Sequence, residues 1–305
     1  MAARILIVSP VRNESAHIER VVQAVVAQTV PPARWVIVDD GSTDATLEIL
    51  SRLEPAAAWL HVIARDPAAA AGTADRLAVA AEARTFNAGL ATVDLADYTH
   101  VMKLDGDIEL PPDYLEQMLC RFAEDAGLGL AGGVLRERAG TGDRIIPIPP
   151  DHVHGALKCW TAACFAAIGG VAERLGWDTI DEVYARMAGF RTRNFPEVVS
   201  RHHRPLASAD GVMRGRARHG TCAWIVQQPP SWAALRAVKL AGTRPLVLSG
   251  AAFAYGYLRA AITRTPRVED PAFRRFVHRE LRTRMRRGGR PQIAAPAIRA
   301  AGAPR

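Results

Sequence analysis

The sequence predicts an α/β fold, in which a largely parallel β-sheet is covered by helices on both faces. Short apolar runs alternate with helical patterns along the first third of the chain, which is the order expected of a parallel sheet. These runs are apolar at nearly every position, as in strands that are buried on both faces. Polar and acidic clusters directly follow three of the runs, at the edge where such sheets bind their ligands.

Composition narrows the class of protein and its partners. The chain has 305 residues, of which 49% are hydrophobic and 23% charged, as in an ordinary globular protein. A net charge of +8 favours phosphate-bearing partners, namely nucleic acid, an anionic membrane or a nucleotide. Four cysteines without a CxxC pair predict reduced thiols in a cytoplasmic protein. No apolar run reaches 18 residues, and the N-terminal run is too short for a signal peptide, so neither feature is expected.

The strands and helices of the predicted sheet come from the first 110 residues. A helical pattern with apolar positions three to four residues apart follows the first strand. Ser42 or Thr43 is placed to cap a second helix, and the alanine-rich residues 68–96 predict a third. The predicted strands are residues 4–9, 35–38, 60–64 and 99–104.

Three polar clusters follow the carboxyl ends of predicted strands, at residues 10–14, 39–44 and 105–109. Parallel strands end at a common edge, so we expect the clusters to lie on one rim of the sheet. The third holds two carboxylates around a glycine, in Asp105-Gly106-Asp107. Such a turn is a reasonable half-site for Mg²⁺ or Mn²⁺ that also holds phosphate oxygens. A surface turn is the plainer alternative, but it leaves the coincidence of three clusters unexplained.

The second half of the chain is less regular. Helices are predicted at residues 112–126 and 177–189, with a strand at 128–135 between them. The Gly- and Pro-rich residues 136–150 predict a loop. The Arg- and Gly-rich residues 214–220 are either a mobile lid over a diphosphate or a solvated basic loop.

A basic, helical extension is predicted at residues 231–290, followed by a disordered tail at 291–305. Asp270 and Pro271 suit the start of a helix, and Gly288-Gly289 suits its end. This helix is amphipathic and basic, which is typical of an anchor at an anionic membrane surface. The alternative is a helix packed on the catalytic part with a solvated basic back. Its apolar face comprises Phe273, Phe276, Val277, Leu281 and Met285.

Three motifs in order resemble the family 2 glycosyltransferases of GT-A fold. They are IVSPVRNE, VIVDDGSTD and KLDGDIELPPDYL, at residues 7–14, 36–44 and 103–115. A later run, GWDTIDEVYARMAGFRTRNFPE followed by HHR, resembles members that act in bacterial surface polysaccharide or lipid-linked glycan assembly. The resemblance implies a Rossmann-like three-layer sandwich over residues 1–230. Its nucleotide half would lie at about 1–110 and its acceptor half at about 111–230.

The resemblance also implies roles for matched positions. The donor would be a nucleoside diphosphate sugar, and Asp107 would hold a divalent metal, Mg²⁺ or Mn²⁺, that bridges its diphosphate. His202 or His203 would complete the metal shell. Adjacent strand residues face opposite ways, so only one of them can serve, and simple packing is the alternative. The matched nucleotide-sugar positions are Pro10, Arg12, Asn13, Glu14, Asp39, Asp40, Arg84, Asn87, Asp105 and Gly106.

The general base is less clearly marked. Family members open a helix with an acidic pair, and inverting transfer needs a base for the acceptor hydroxyl. Asp178 stands at the family's interval before Gly189, but Trp177 replaces the expected Glu. Asp181 lies one helical turn on, so both acids can face the same cleft. Asp178 is preferred on spacing, and an exposed helix acid is the alternative for each.

The sequence as a whole therefore predicts an inverting, metal-dependent glycosyltransferase at the inner face of the plasma membrane. Its acceptor would be a glycan or a lipid-linked glycan. A nucleic-acid-binding protein is a second hypothesis, but an acidic rim would repel a phosphate backbone, and no recognisable binding module is present. A third is a non-catalytic partner that binds a nucleotide sugar; the intact Asp105 and Asp107 argue against it.

Overall fold

The computed structural model describes residues 3–66, 80–139, 142–204 and 211–286. Strands and helices alternate up to β4, as the apolar runs predict. The strands are β1 (Ile5–Val11), β2 (Arg34–Asp39), β3 (Leu60–Ala64), β4 (His100–Leu104), β5 (Ile108–Glu109), β6 (Leu128–Ala139), β7 (Gly142–Ile145), β8 (Leu157–Thr161) and β9 (Arg191–His202). The helices are α1 (Ile18–Val26), α2 (Thr46–Leu53), α3 (Ala81–Leu90), α4 (Tyr114–Glu124), α5 (Ala162–Ala167), α6 (Trp177–Met187), α7 (Gly211–Ile225), α8 (Pro230–Ala241), α9 (Leu248–Ile262) and α10 (Pro271–Arg286).

The nine strands form one mixed sheet. Its order is β3-β2-β1-β4-β8-β6-β9-β5, with β7 paired to β6 outside this path. The four N-terminal strands β3, β2, β1 and β4 are mutually parallel, whereas β8 runs antiparallel to β4. The parallel half therefore presents the carboxyl ends of β1, β2 and β4 along one edge. The predicted convergence of the three polar clusters depends on this edge.

Helices cover both faces of the sheet because its central strands are apolar at nearly every position. In β1, Ile5 and Ile7 belong to the core under α1, α2 and α4, whereas Leu6 and Val8 belong to the core under α3 and α5. These side chains are buried, and each buried aliphatic side chain contributes about 1.5–3 kcal/mol to folding. The three-layer α/β arrangement follows from this pattern.

One predicted loop is a strand and part of a hairpin. Residues 136–150 include the end of β6 and all of β7, which pair with Arg136 opposite Ile145. The hairpin is stabilised by ion pairs such as Arg144 with Glu137, at 2.7 Å. Its exposed, charged positions lack the apolar alternation that predicts a strand, so the prediction of a loop there is wrong.

The Arg- and Gly-rich residues 214–220 are also helical and lie within α7. The expectation of a mobile lid or loop at these residues is wrong. Gly220 allows α9 to cross closely, because a Cβ at this position would overlap the carbonyl oxygen of Phe253. Gly256 of α9 meets the backbone of Ala217 in the same way. Here the glycines serve helix packing rather than chain mobility.

The basic amphipathic helix α10 packs against α6. Phe273, Val277 and Leu281 are buried against Ile180 and Val183 of α6. The apolar face is therefore not free to enter a membrane, and the expectation of an anchor through this face is wrong. The alternative of a packed helix with a solvated basic back is what the structure has.

Some predictions fall outside the described residues. They are the start of the helix at 68–96, the glycine stop at 288–289 and the tail at 291–305. The described end of the first of these is α3, Ala81–Leu90. Among the described helices, none has the length and the apolar character needed to cross a bilayer.

Candidate functional site

The loops after β1 and β2 lie against each other and fix one side of the site. The side-chain oxygen of Asn13 accepts a hydrogen bond from the Thr43 backbone N–H at 2.8 Å. The backbone N–H of Glu14 donates to Thr46 Oγ1, also at 2.8 Å. Asn13 has a φ of +53°, a left-handed conformation in which asparagine is enriched. The first two polar clusters of the sequence therefore meet, as the topology predicts.

Asp40 stands at the centre of these loops. Its backbone carbonyl accepts a hydrogen bond from Arg12 Nη1 at 2.6 Å, and its carboxylate pairs with Arg65 Nη1 at 2.8 Å. Asp39 is also buried, and its carboxylate accepts the Ser42 N–H at 3.0 Å. Asp39 therefore closes its own turn, whereas Asp40 is positioned by two arginines. Arg65 was not among the predicted site residues, although it follows the end of β3 directly.

The Asp-Gly-Asp turn follows β4, and a buried lysine at the end of that strand holds it in place. Lys103 forms ion pairs with Asp105 and Glu82, and its Nζ lies 3.0 Å from the Gly155 carbonyl oxygen. Burial opposes its charge, but the two carboxylates raise the pKa of Lys103 above its ordinary value. Asp105 is thus engaged by a permanent cation. The sequence predicts Lys103 in a strand and contains no sign of this role.

Gly106 brings the third cluster against the first. A Cβ at this position would lie 2.8 Å from Val11 Cγ1 and 3.1 Å from Glu14 Cγ. A larger residue therefore fits only if the side chains of Val11 and Glu14 move. The close approach of the two loops therefore requires glycine between the two aspartates.

Asp107 is the meeting point of residues from three strand ends. Its Oδ2 lies 3.4 Å from His202 Nε2 and 3.9 Å from Arg204 Nε. Arg204 Nη2 in turn pairs with Glu14 Oε2 at 2.7 Å. Burial alone would raise the pKa of Asp107, but the hydrogen bond from His202 and the charge of Arg204 outweigh it and keep the pKa low. Asp107 is consequently ionised at neutral pH.

The two adjacent histidines face different neighbours, as residues on a strand should. His202 faces Asp107, and its buried Nδ1 has no hydrogen-bond partner among the described residues. His203 instead bonds Glu109 through Nε2 at 2.7 Å and stacks on His17, with ring centroids 5.4 Å apart. Of the two, His202 is the one placed beside the carboxylate.

The Asp107–His202 pair fits a divalent metal in donor type and in spacing. Neighbouring ligands of an octahedral ion, bound at about 2.1 Å, lie about 3 Å apart. The 3.4 Å between Asp107 Oδ2 and His202 Nε2 is close to that separation. No group of three or more His, Cys, Asp or Glu side chains is arranged as a complete metal site in the described part of the chain. The pair therefore suits an ion, such as Mg²⁺ or Mn²⁺, whose remaining ligands come from water and phosphate.

The two candidate base residues differ in surroundings. Asp181 is buried and pairs through Oδ1 with Lys158 Nζ at 2.8 Å, while Lys158 also pairs with Glu182 at 3.2 Å. Lys158 further donates to the backbone carbonyl of Asp178, whose residue is partly exposed. Lys158 thus contacts both residues, Asp181 through its carboxylate and Asp178 through its backbone, and of the two only Asp178 is partly exposed. Lys158 is a second buried cation that the sequence did not reveal.

Trp177 joins the two sides of the site. Its ring centroid lies 5.3 Å from Lys103 Nζ and 5.4 Å from Lys158 Nζ, so it receives two cation–π contacts. Gly155 lies close beneath, because a Cβ there would be 3.2 Å from the Trp177 ring. The tryptophan is buried, so it supports the site rather than presenting a face to a sugar.

Arg84 and Asn87 lie on α3 and bond to the segment that precedes α6. Asn87 Nδ2 donates to the Val171 carbonyl at 2.9 Å and to Glu173 at 3.1 Å. Arg84 is half-exposed, with its Nε 3.8 Å from Glu173. Arg84 therefore has exposed donors for an anion, whereas the Asn87 amide is occupied within the protein. The remaining predicted residue, Pro10, lies near the end of β1, opposite Val38 of β2.

Comparison with known proteins relates the N-terminal part of this arrangement to one family. Residues 6–149 match the model of glycosyl transferase family 2. A solved structure of residues 1–349 of TarS from S. aureus, in complex with UDP, is 14% identical with a TM-score of 0.53, covering 85% of this chain and 72% of that one. The mannosyltransferase PcManGT from Pyrobaculum calidifontis, in complex with GDP-Man and Mn²⁺, is 17% identical with a TM-score of 0.55, covering 91% of this chain and 84% of that one. No curated protein matches the sequence. The predicted GT-A fold is confirmed.

Proposed function

Because this chain is a glycosyltransferase whose residues 6–149 form a family 2 domain, we propose that it moves a sugar from a nucleoside diphosphate to an acceptor hydroxyl with inversion. The acceptor would be a glycan or lipid-linked glycan of bacterial polysaccharide or glycolipid synthesis. One observation carries the proposal: Glu14, Asp107, His202 and Arg204 come from three strand ends, those of β1, β4 and β9, and form one polar cluster. Such a cluster offers both a metal ligand pair and a cation for a diphosphate.

The donor side of the proposal is supported by the loops around Asp40. The related structures contain UDP and GDP-Man, which are nucleoside diphosphates or their sugars. In this chain, Arg12 and Arg65 hold Asp40 in place, and Asn13 is fixed by the turn that follows β2. We propose that this surface binds the base and ribose. Asp105, oriented by Lys103, would face the ribose from the other side.

We propose Asp107 and His202 as the residues that would hold Mg²⁺ or Mn²⁺. A bound divalent ion supplies positive charge that stabilises a diphosphate leaving group. Arg204 lies next to Asp107 and would place a guanidinium beside the same phosphates, where bidentate contacts are favourable. His203 has a different partner in Glu109, which supports His202 rather than His203 in this role.

Asp178 is proposed as the general base. Asp178 is partly exposed, and the helix start that carries it is held by Lys158 through the backbone. Asp181 is the second candidate, but its ion pair with Lys158 occupies the carboxylate. For Asp181 to act as the base, that buried pair would have to open, which is costly once the partner charge is left unpaired.

We propose peripheral attachment to the inner face of an anionic membrane as part of the same function, because a lipid-linked acceptor resides there. The competing hypothesis of a nucleic-acid-binding protein has no support in the described rim, where carboxylates outnumber cations around the Asp-Gly-Asp turn. A non-catalytic sugar-nucleotide binder would have no use for a partly exposed acid such as Asp178 at the start of α6.

The metal and donor assignments are tested together by Asp107→Asn. Thermal stability is measured with UDP- and GDP-sugars, each with and without Mn²⁺. A matching donor with Mn²⁺ should raise the melting temperature of the native chain, since a ligand that binds only the folded state stabilises it. Asp107→Asn should abolish the Mn²⁺-dependent part of this rise in melting temperature and lower the rate of transfer by about 100-fold or more.

Asp113→Asn is the control, because Asp113 is an exposed acid nearby with no side-chain cap bond. Full activity of Asp107→Asn would show that the metal ligand lies elsewhere.

The base assignment is tested by comparing Asp178→Asn with Asp181→Asn under single-turnover conditions. Asp178→Asn should slow transfer by ~10²–10⁴-fold with little change in stability. Asp181→Asn should instead lower the free energy of unfolding by about 3 kcal/mol or more, because it leaves Lys158 short of its partner. If Asp178→Asn transfers at the native rate, another residue is the base.

A further inference from the structure

Exposed apolar side chains concentrate on the hairpin formed by α8, α9 and the loop between them. Eight of the twelve large hydrophobic side chains that are exposed in the described residues lie between Leu235 and Ile262. The loop alone exposes three in succession, Leu246, Val247 and Leu248, at 61%, 68% and 55%. A contiguous exposed apolar patch on a globular protein marks an interaction surface.

The exposed positions form a stripe opposite the packed face of α9. Buried Phe253, Gly256 and Tyr257 turn toward α7, and Gly250 turns toward Ala237 of α8. The outward side of α9 repeats at helical spacing over four turns and is almost wholly apolar. It carries Leu248, Ala251, Tyr255, Leu258 and Ile262. On α8 the exposed apolar residues are Ala234, Leu235 and Val238.

The charged side chains that the hairpin itself carries are all positive. The sequence has no Asp or Glu from residue 211 to residue 268, but it has eight Arg and one Lys there. Four of these cations are exposed close to the apolar stripe: Lys239, Arg244, Arg259 and Arg264. An apolar strip edged by cations complements an anionic lipid surface, in which acyl chains lie under negative headgroups.

We propose that the α8–α9 hairpin docks on an anionic lipid bilayer. Leu246, Val247 and Leu248 enter the interface between headgroups and acyl chains, and the flanking cations contact lipid phosphates. A second copy of the chain is the less suitable occupant, because a two-fold interface would set Lys239, Arg244 and Arg259 against their own copies. The hairpin thus takes the role that the buried apolar face of α10 cannot perform.

The position of the hairpin relative to the candidate base is suited to a lipid-linked acceptor. Helix α7 packs on α9 through Gly220 and Gly256, and its Cys222 lies beside Gly176 at the start of α6. Burial lowers the pKa of Arg236 of α8, and the negative charge of Asp178 partly opposes this shift. Docking would therefore bring the acceptor side of the site near the lipid surface. Lipid binding by the hairpin does not itself depend on the proposed reaction.

The test is co-sedimentation of the full chain with vesicles, without donor or acceptor. One set is phosphatidylcholine alone, and the other contains about one third phosphatidylglycerol. The native chain should bind the anionic vesicles and bind phosphatidylcholine much more weakly. The double variants Leu246→Ser/Val247→Ser and Arg244→Gln/Arg259→Gln should each lower the partition coefficient for anionic vesicles by about tenfold or more.

Two control pairs distinguish the hairpin from exposed apolar and basic side chains elsewhere on the protein. Val26→Ser/Ile145→Ser removes two exposed apolar side chains far along the chain from the hairpin, and it should leave binding unchanged. Arg275→Gln/Arg282→Gln removes charge from the exposed back of α10 and should have little effect. All these positions are exposed, so the variants should fold, which circular dichroism checks. If the α10 pair lowers binding and the loop pair does not, the docking surface is wrong.

Self-association is read on the same samples by light scattering. A monomeric native chain and monomeric variants support a lipid occupant. A native dimer that Leu246→Ser/Val247→Ser converts to monomer, with vesicle binding unchanged, would assign the surface to a second copy and overturn the proposal. Because no catalytic step enters either measurement, a failure here leaves the transferase assignment untouched.

Discussion

At the scale of single residues, the geometry of the site depends on a glycine, Gly106, as well as on the charged side chains around it. Gly106 has no left-handed φ among the described backbone conformations, so its identity is not set by the turn. It is set by the distance to Val11 and Glu14, which leaves no room for a Cβ. The requirement for glycine between the two aspartates is therefore steric, and it cannot be recognised from the sequence motif alone.

Gly106→Ala should weaken donor binding without unfolding the protein. The added methyl group must displace the side chains of Val11 and Glu14, and overpacking of this kind costs about 1–3 kcal/mol. We expect the KM for the donor to rise about tenfold with a smaller change in kcat, and isothermal titration with the nucleotide to show the same loss. Gly142→Ala is the matched control, because a Cβ there meets nothing within 4 Å. Equal effects of the two substitutions would contradict the steric argument.

The sequence predicted the acids of the site better than their cations. Asp107, Asp40 and their neighbours stand in motifs of adjacent residues at strand ends, so a local pattern reveals them. Lys158 and Asp181 are 23 residues apart, and the partners of Lys103 come from α3 as well as from the turn. Such pairings depend on how elements pack, and one sequence does not contain that information.

At the scale of elements, the parallel strands were predictable because their sequences are continuously apolar. The charged sequences of β7 and α7 did not show the patterns that predict a strand or a helix. β1, β2 and β4 were predicted within one or two residues because their side chains are largely buried on both faces. β3 was predicted equally well from its apolar run, although only Leu60 in it is buried. β7 is exposed along its whole length, and its register is set by ion pairs with β6, so it lacks that pattern. The glycines of α7 suggested mobility. In the structure they allow α9, which lies about 35 residues later in the chain, to cross α7 closely.

This helix crossing supplies the element-scale prediction. Gly256→Ala should lower the free energy of unfolding by ~2 kcal/mol, because its methyl group would strike the backbone of α7, which cannot rotate away. Urea denaturation followed by circular dichroism measures the change. The control is Gly242→Ala at the end of α8, where the nearest contact to a Cβ is an ordinary 3.5 Å. A loss no greater than that of Gly242→Ala would show that the crossing tolerates a side chain.

At the scale of the whole molecule, the C-terminal helices are part of one folded body with the catalytic half. Phe273 of α10 is fully buried against α6, the helix whose first turn holds Asp178. Phe273→Ala should reduce the free energy of unfolding by about 3–5 kcal/mol, as for other buried aromatic side chains. We expect a single unfolding transition in the native chain and in the Phe273→Ala variant. An early, separate transition for α10, seen by hydrogen exchange, would mean that the extension folds independently.

The two lysines that meet at Trp177 have a consequence for how such an enzyme can be altered. One lysine pairs with Asp105 of the proposed donor side, and the other holds the helix that carries the candidate base, with the same indole between them. A change of acceptor preference introduced at Trp177 would therefore also disturb the donor. Redesign of specificity should begin farther from this ring, at the β6–β7 hairpin, whose outer positions are exposed and carry no part of that shared support.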